Sequence, residues 1–218
     1  MISRYDDRAD AGRRLAELLA DRVAASRRPV VLALPRGGVP VAVPIARRYG
    51  AELDIVVVRK LGVPIQPELA MGALARLGDR VEELRNDEVI TTAGVAEETY
   101  REVLRAERAE LDARHRQLRR DRPELDLRDR TVIVVDDGLA TGSTMLAAIE
   151  AVRRGGPAAI VVAVPVASPP AAERVRQRVD QLVCPEVPAA FRAVGQAYRR
   201  FDPVPTADVR RMLTEGPS

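Results

Sequence analysis

Cysteine occurs once in this chain, at Cys184, which excludes an internal disulfide framework and any multi-cysteine metal site. The expected role of that thiol is a small buried hydrophobe. Aromatic residues make up 3% and tryptophan is absent, so the core must be built from Val, Leu, Ile and Ala, as suits a parallel sheet covered by helices. No run approaches the ~18 apolar residues of a membrane span. Residues 1–14 carry charges where a signal peptide would need an apolar segment. A cytoplasmic protein with no membrane partner is expected. The net charge is only +3, and between residues 97 and 130 ten arginines alternate with ten acids, the pattern of a solvated helix rather than a basic stripe. Nucleic acid is therefore not an expected partner. Histidine and lysine each occur once. His115, inside the charged stretch with nothing nearby to orient it, reads as a surface residue.

What is present fits one domain of 218 residues, 46% hydrophobic. Its most informative stretch is TVIVVDDGLATGSTM, residues 131–145. Val132, Ile133, Val134 and Val135 make a strand buried on both faces. Asp136 and Asp137 follow at once, where an open α/β sheet places its ligands. A small hydroxyl-rich turn comes next, and Met145, Leu146, Ala148 and Ile149 restart an apolar pattern at helical spacing. A loop at a helix N-terminus suits a phosphate, and Ala140, Thr141, Gly142, Ser143 and Thr144 place no bulky side chain in its way. The two carboxylates can accept hydrogen bonds from vicinal hydroxyls and orient water on a hard cation such as Mg²⁺. Phosphate, diol and metal on one ligand describe a sugar phosphate.

Residues 132–144, four apolar residues, two acids and a short loop ending in T-G-x-T, resemble the PRPP (5-phosphoribosyl-1-diphosphate) motif of type I phosphoribosyltransferases. No Gly-Lys-Ser/Thr follows a glycine run, so this is not a Walker loop. The resemblance implies an α/β fold: a mostly parallel sheet flanked by helices, with a small hood and a flexible lid loop. It further implies Mg²⁺ held by Asp136 and Asp137, through water or directly, and Ala140 to Thr144 around the 5′-phosphate.

Earlier in the chain, Asp6 and Asp7 can cap a helix with Leu15, Leu18, Leu19 and Val23 on one face, ending near Ser26-Arg27-Arg28-Pro29. A second buried-strand run, residues 30–35, ends in Pro35-Arg36-Gly37-Gly38. The two glycines leave backbone N–H groups free to face an anion, and Arg36 offers a planar fork to phosphate oxygens. Taken alone this is equally a plain tight turn. In the resembled family a loop at this place binds pyrophosphate, which implies Arg36, Gly37 and Gly38. A third strand, residues 54–58, leads into Arg59 and Lys60. A single lysine in an arginine-rich chain suits a spot that wants a compact ammonium; adenine-type members carry basic residues there that meet the pyrophosphate, which implies Lys60 and Arg59.

Residues 66–92 read as a long loop with a β-hairpin, part of a lid over about 60–95 within a core of about 26–168. One long helix, residues 97–120, follows with Val103 and Leu111 inward. Beyond the central motif, a strand at 159–164, a helix at 171–179 and a short strand at 182–184 are expected. The tail holds both phenylalanines, Phe191 and Phe201, with Tyr198. Over about 180–218 it is either the family's base-binding hood or an anchor of the C-terminus to the core.

The implied activity is Mg²⁺-dependent transfer of the phosphoribosyl group from PRPP to a nucleobase, as in nucleotide salvage, by a homodimer, with Asp136, Asp137 and Lys60 as catalytic residues. Hypoxanthine/guanine-type members carry an aspartate where this chain has Ala140, which argues against 6-oxopurine substrates. A non-catalytic PRPP or nucleotide sensor on the same fold is the alternative. PRPP synthetase-like chemistry is disfavoured because duplicated domains and an ATP site are missing.

Overall fold

A computed structural model describes residues 5–23, 29–119 and 122–215. Its central sheet has five strands, all parallel, in the order β2-β1-β6-β7-β8: β1 is Val30–Ala33, β2 Glu52–Ile55, β6 Thr131–Val135, β7 Ala159–Ala163 and β8 Gln181–Val183. The valine-rich runs form these strands because β-branched side chains suit a sheet covered on both faces. Alternation divides them between two layers. Val31, Ala33, Ile133, Val135, Val161 and Ala163 join one apolar cluster with helices α1 (Arg8–Leu18), α3 (Gly38–Tyr49), α5 (Glu97–Arg119) and α8 (Thr206–Glu215). Val30, Leu32, Val132, Val134, Ile160 and Val162 face the other, under α6 (Ser143–Arg153) and α7 (Pro169–Arg176). Asp7 caps α1, accepting from the Asp10 N–H at 2.9 Å. Leu15, Leu19 and Val23 are buried as expected, but Leu18 is half-exposed. The expected break at Ser26, Arg27 and Arg28, and the end of the long helix at Arg120, lie outside the described residues.

Residues 57–85 depart from expectation. The run expected as one strand over 54–58 is divided: β2 ends at Ile55, and β3, Val57–Val63, begins a separate antiparallel sheet with β4, Gln66–Leu77, and β5, Arg80–Arg85. Arg59 and Lys60 thus lie within a strand rather than at a strand's end. Of the long loop with a β-hairpin expected over 66–92, the hairpin is present as β4 and β5, and the remainder is ordered sheet followed by a short helix, α4 (Asp87–Thr92). Pro67 is tolerated because it stands at the start of its strand. β8 belongs to the central sheet, so the stretch expected as a hood over about 180–218 begins inside that sheet, and its α8 packs back on the core through Val209 and Leu213. His115 is also corrected: it is 4% exposed, on the inward side of α5, and its Nε2 has no hydrogen-bond partner among the described residues. Cys184 is half-buried, its thiol pushed up to about 12 mainly by burial, as a structural cysteine should be.

Candidate functional site

Strands β1 and β6 lie side by side in register, so the loops leaving their carboxyl ends meet. The Leu34 N–H donates to the Val135 carbonyl at 2.9 Å, and the peptide between Pro35 and Arg36 is cis. Gly37 is required here for space rather than for φ, which is −63°. A Cβ at Gly37 would sit 2.0 Å from Asp137 Oδ2, and one at Gly38 would sit 2.6 Å from the Val135 carbonyl oxygen. The glycines therefore let the PRGG loop close directly onto the acid pair.

The pair is electrostatically tense. Asp136 accepts from the Asp137 N–H at 2.8 Å. Burial, then repulsion by Asp137, hold its carboxyl well above the usual carboxylate range. Asp137 is also raised by burial, with Arg8 pulling the other way: Arg8 Nε donates to Asp137 Oδ2 at 2.9 Å. The Asp137 carbonyl accepts from the Tyr198 hydroxyl at 2.7 Å.

Directly after the acids the chain makes the expected loop. Gly142 has φ +76° at the N-cap of α6, a conformation that favours glycine. The loop is pinned to the β7–α7 connection, with the Leu139 N–H donating to Val166 O at 2.9 Å, the Ser168 N–H to Leu139 O at 2.8 Å and Ser168 Oγ to Ala140 O at 2.6 Å. Arg174 of α7 donates to the Thr141 carbonyl. Thr141, Ser143 and Thr144 remain exposed at the mouth of the first helical turn, where unpaired N–H groups and the positive end of the helix dipole favour a phosphate.

The basic residues are distributed differently. Arg36 and Arg59 line a cleft of about 430 Å³ together with Arg114, Gln117 and Leu118 of α5 and Thr206 of α8. Lys60 is not among the lining residues; it is exposed on β3, with Nζ 3.3 Å from Glu68 Oε2 across the hairpin. Of the tail aromatics, Tyr198 stacks on Phe201 with centroids 4.9 Å apart, and the Arg8 guanidinium lies 3.9 Å from the Phe201 ring centre. Phe191 packs farther along, on the small cluster of Tyr5, Val166, Ala197 and Tyr198. The tail is thus anchored to the core through this cluster, and Tyr198 borders the acid pair. Sequence reasoning missed Arg8, Arg114 and Arg174. Among so many arginines none carried a signal of its own.

Residues 1–200 match the family model described as a phosphoribosyl transferase domain. A Mycobacterium tuberculosis protein named "Putative phosphoribosyl transferase" is 45% identical over 197 residues, 90% of this chain. The chain spans 43% of the length of that relative. The crystal structure of TT1426 from Thermus thermophilus is 44% identical and superimposes with a TM-score of 0.84, covering 99% of this chain and 100% of that one.

Proposed function

Because the chain belongs to the phosphoribosyl transferase domain family, we propose that it transfers the 5-phosphoribosyl group of PRPP to a ring nitrogen of a nucleobase-like acceptor, releasing pyrophosphate. The observation that carries this reading is the meeting of three ligand-seeking features at the carboxyl ends of β1 and β6. These are a glycine loop pressed against two buried acids, the acids themselves, and a helix N-terminus opened by a left-handed glycine. A sugar carrying a phosphate at one end and a diphosphate at the other matches that sequence of groups.

In the reaction, positive charge develops on the ribose and negative charge on the departing pyrophosphate. Asp136 and Asp137 hold the ribose hydroxyls and face the growing cation, which is stabilisation aimed at where charge appears. The loop from Ala140 to Thr144 grips the 5′-phosphate and fixes the sugar in place. Arg36, Arg59 and the Gly37-Gly38 backbone receive the pyrophosphate; Lys60 reaches it only by leaving Glu68. Mg²⁺, when bound, neutralises part of the diphosphate charge. The donor set fits it in one respect: a pair of hard carboxylates without a third acid suits an ion that keeps waters and shares substrate phosphates. Among the described residues no group of three or more acids, histidines or cysteines forms a cage of its own. Tyr198 and Phe201 offer an apolar wall for the base, and Ala140 has no proton to exchange with a 6-oxopurine. A homodimer is the assembly we expect, to be read by sedimentation.

Phosphorus NMR with PRPP and Mg²⁺, against purine, pyrimidine and pyridine bases, tests the reading. Pyrophosphate release that depends on one base establishes the transferase and names its acceptor. PRPP that binds while no base releases pyrophosphate turns the protein into a sensor. The double variant Asp136→Asn, Asp137→Asn should remain folded by circular dichroism and bind PRPP at least about tenfold more weakly, a loss of about 1.4 kcal/mol. Unchanged affinity in the folded variant removes the acids from the site.

A further inference from the structure

The cleft beside the PRGG loop gathers three guanidinium groups, Arg36, Arg59 and Arg114, with one exposed acid on its wall, Glu110. Only Arg59 is neutralised there: its Nε and Nη2 lie 2.7 and 2.6 Å from Glu107 Oε2. Arg36 has no carboxylate partner among the described residues. Arg114, half-buried on α5, makes a single long contact, Nη2 to the Pro35 carbonyl at 3.5 Å. Burial, Arg36 and Arg59 all disfavour its charged form. Two uncompensated guanidinium groups beside a third, with water partly excluded, destabilise a free protein unless an anion brings compensation. Gln117 and Thr206 add neutral polar groups to the same wall. The cleft also adjoins the acid pair through the loop itself, because Gly37, next to Arg36, lies against Asp137.

We infer that Arg114 is an anion-binding residue that completes, with Arg36, a diphosphate site in the cleft between α5 and the PRGG loop. The proposal rests on the phosphoribosyl reading for the source of that diphosphate, the leaving group of PRPP. Arg114 reaches the loop from a helix more than 70 residues away in sequence, so it adds a second guanidinium fork to the one Arg36 supplies.

The test is titration of wild type, Arg114→Gln and Arg114→Lys with inorganic pyrophosphate, with ribose 5-phosphate and with PRPP, each separately, followed by phosphorus NMR. The expected result is pyrophosphate and PRPP affinity at least tenfold weaker in Arg114→Gln, partial recovery in Arg114→Lys, and ribose 5-phosphate within about twofold throughout. If wild type binds PRPP and Arg114→Gln binds pyrophosphate equally well, the role of Arg114 falls while the phosphoribosyl reading stands. If ribose 5-phosphate weakens as much as pyrophosphate, Arg114 merely supports the loop, and the proposal is overturned. If Arg114→Gln loses pyrophosphate but keeps PRPP affinity, the cleft serves a separate phosphorylated effector, which also overturns it. Wild type that binds neither pyrophosphate nor PRPP refutes the phosphoribosyl reading and Arg114's part in it together.

Discussion

Two adjacent glycines have different jobs, and substitution separates them. A methyl group at Gly38 meets backbone, the Val135 carbonyl at 2.6 Å and the Asp136 Cα at 3.0 Å, neither of which can move without disturbing β6. Gly38→Ala should therefore cost about 1–3 kcal/mol in urea denaturation, the usual range for overpacking. A methyl at Gly37 meets the Asp137 carboxyl group instead, and that side chain can swing away at the expense of the site. Gly37→Ala forces Asp137 Oδ2 off Arg8 and should cost about 2 kcal/mol in stability and, in addition, weaken PRPP at least tenfold in the phosphorus NMR titration; unchanged PRPP affinity would contradict the packing described. His115 makes a separate prediction. Burial, with Arg76 and Arg119 adding repulsion, lowers it to about 4, against roughly 6.5 in an unfolded chain. The unfolded state then binds more protons between those values, so stability is full above pH 6.5 and declines as pH falls toward 4. The loss should be about 2 kcal/mol, less than full burial would give because a solvated cleft adjoins the ring. Urea midpoints at pH 7 and pH 4.5 should converge in His115→Leu relative to wild type.

At the scale of elements, α5 is held to the central sheet by a buried ion pair. Arg119 Nε lies 3.1 and 2.9 Å from the two carboxyl oxygens of Asp54 on β2, and both side chains are almost wholly buried. The same guanidinium donates to the carbonyls of Arg122 at 2.8 Å and Pro123 at 2.6 Å. Arg119→Met strands a buried carboxylate and should cost about 3–5 kcal/mol in urea denaturation. Adding Asp54→Leu should recover part of that loss, since the carboxylate is then gone while the two carbonyls remain unpaired. Such ties were hard to read from sequence, whereas the inner strands of the central sheet were plain. β1, β6 and β7 announced themselves because strands covered on both faces must be apolar at every position. The division between β2 and β3 was hidden because residues 53–58 form β-prone sequence with no Gly or Pro at the turn. The Val56 N–H still donates to Ala33 O at 3.0 Å, and from Val57 onward the chain pairs with β4 instead. The acid pair and the loop that opens α6 were legible because their spacing is local. Arg114 was not, because its place beside Arg36 exists only once α5 has packed. Lys60 drew notice through rarity, yet the fold sets it beside an exposed glutamate.

Across the whole molecule, residues 5–8 and 198–202 close together over the acid pair. Tyr5 and Tyr198 form a parallel bridge; the Arg199 N–H donates to Tyr5 O at 2.8 Å and the Arg200 N–H to Asp6 O at 3.1 Å. Arg8 binds Asp137 from one end and the Asp202 carbonyl, at 2.8 Å, from the other, while Tyr198 holds the Asp137 carbonyl. Arg8 and Tyr198, 190 positions apart, thus share Asp137 as a partner, and their energies should not add. Arg8→Gln removes a part-buried charge partner and should cost about 2 kcal/mol, and Tyr198→Phe removes one hydrogen bond worth about 1 kcal/mol. In urea denaturation the double variant should depart from the sum by at least about 0.5 kcal/mol, as residues in one network do. Hydrogen exchange supplies the local counterpart. The amides of Arg199 and Arg200 should exchange faster in Arg8→Gln than in wild type, while those of β1 and β6 keep their protection, because opening of the closure leaves the central sheet intact. Saturating PRPP, which binds beneath the closure in the proposed reading, should raise stability by about 2.7 kcal/mol at a hundred times its dissociation constant and slow the tail amides in wild type. Strict additivity of the two substitutions, with tail exchange unchanged in Arg8→Gln, would mean that the ends fold independently of the site they cover.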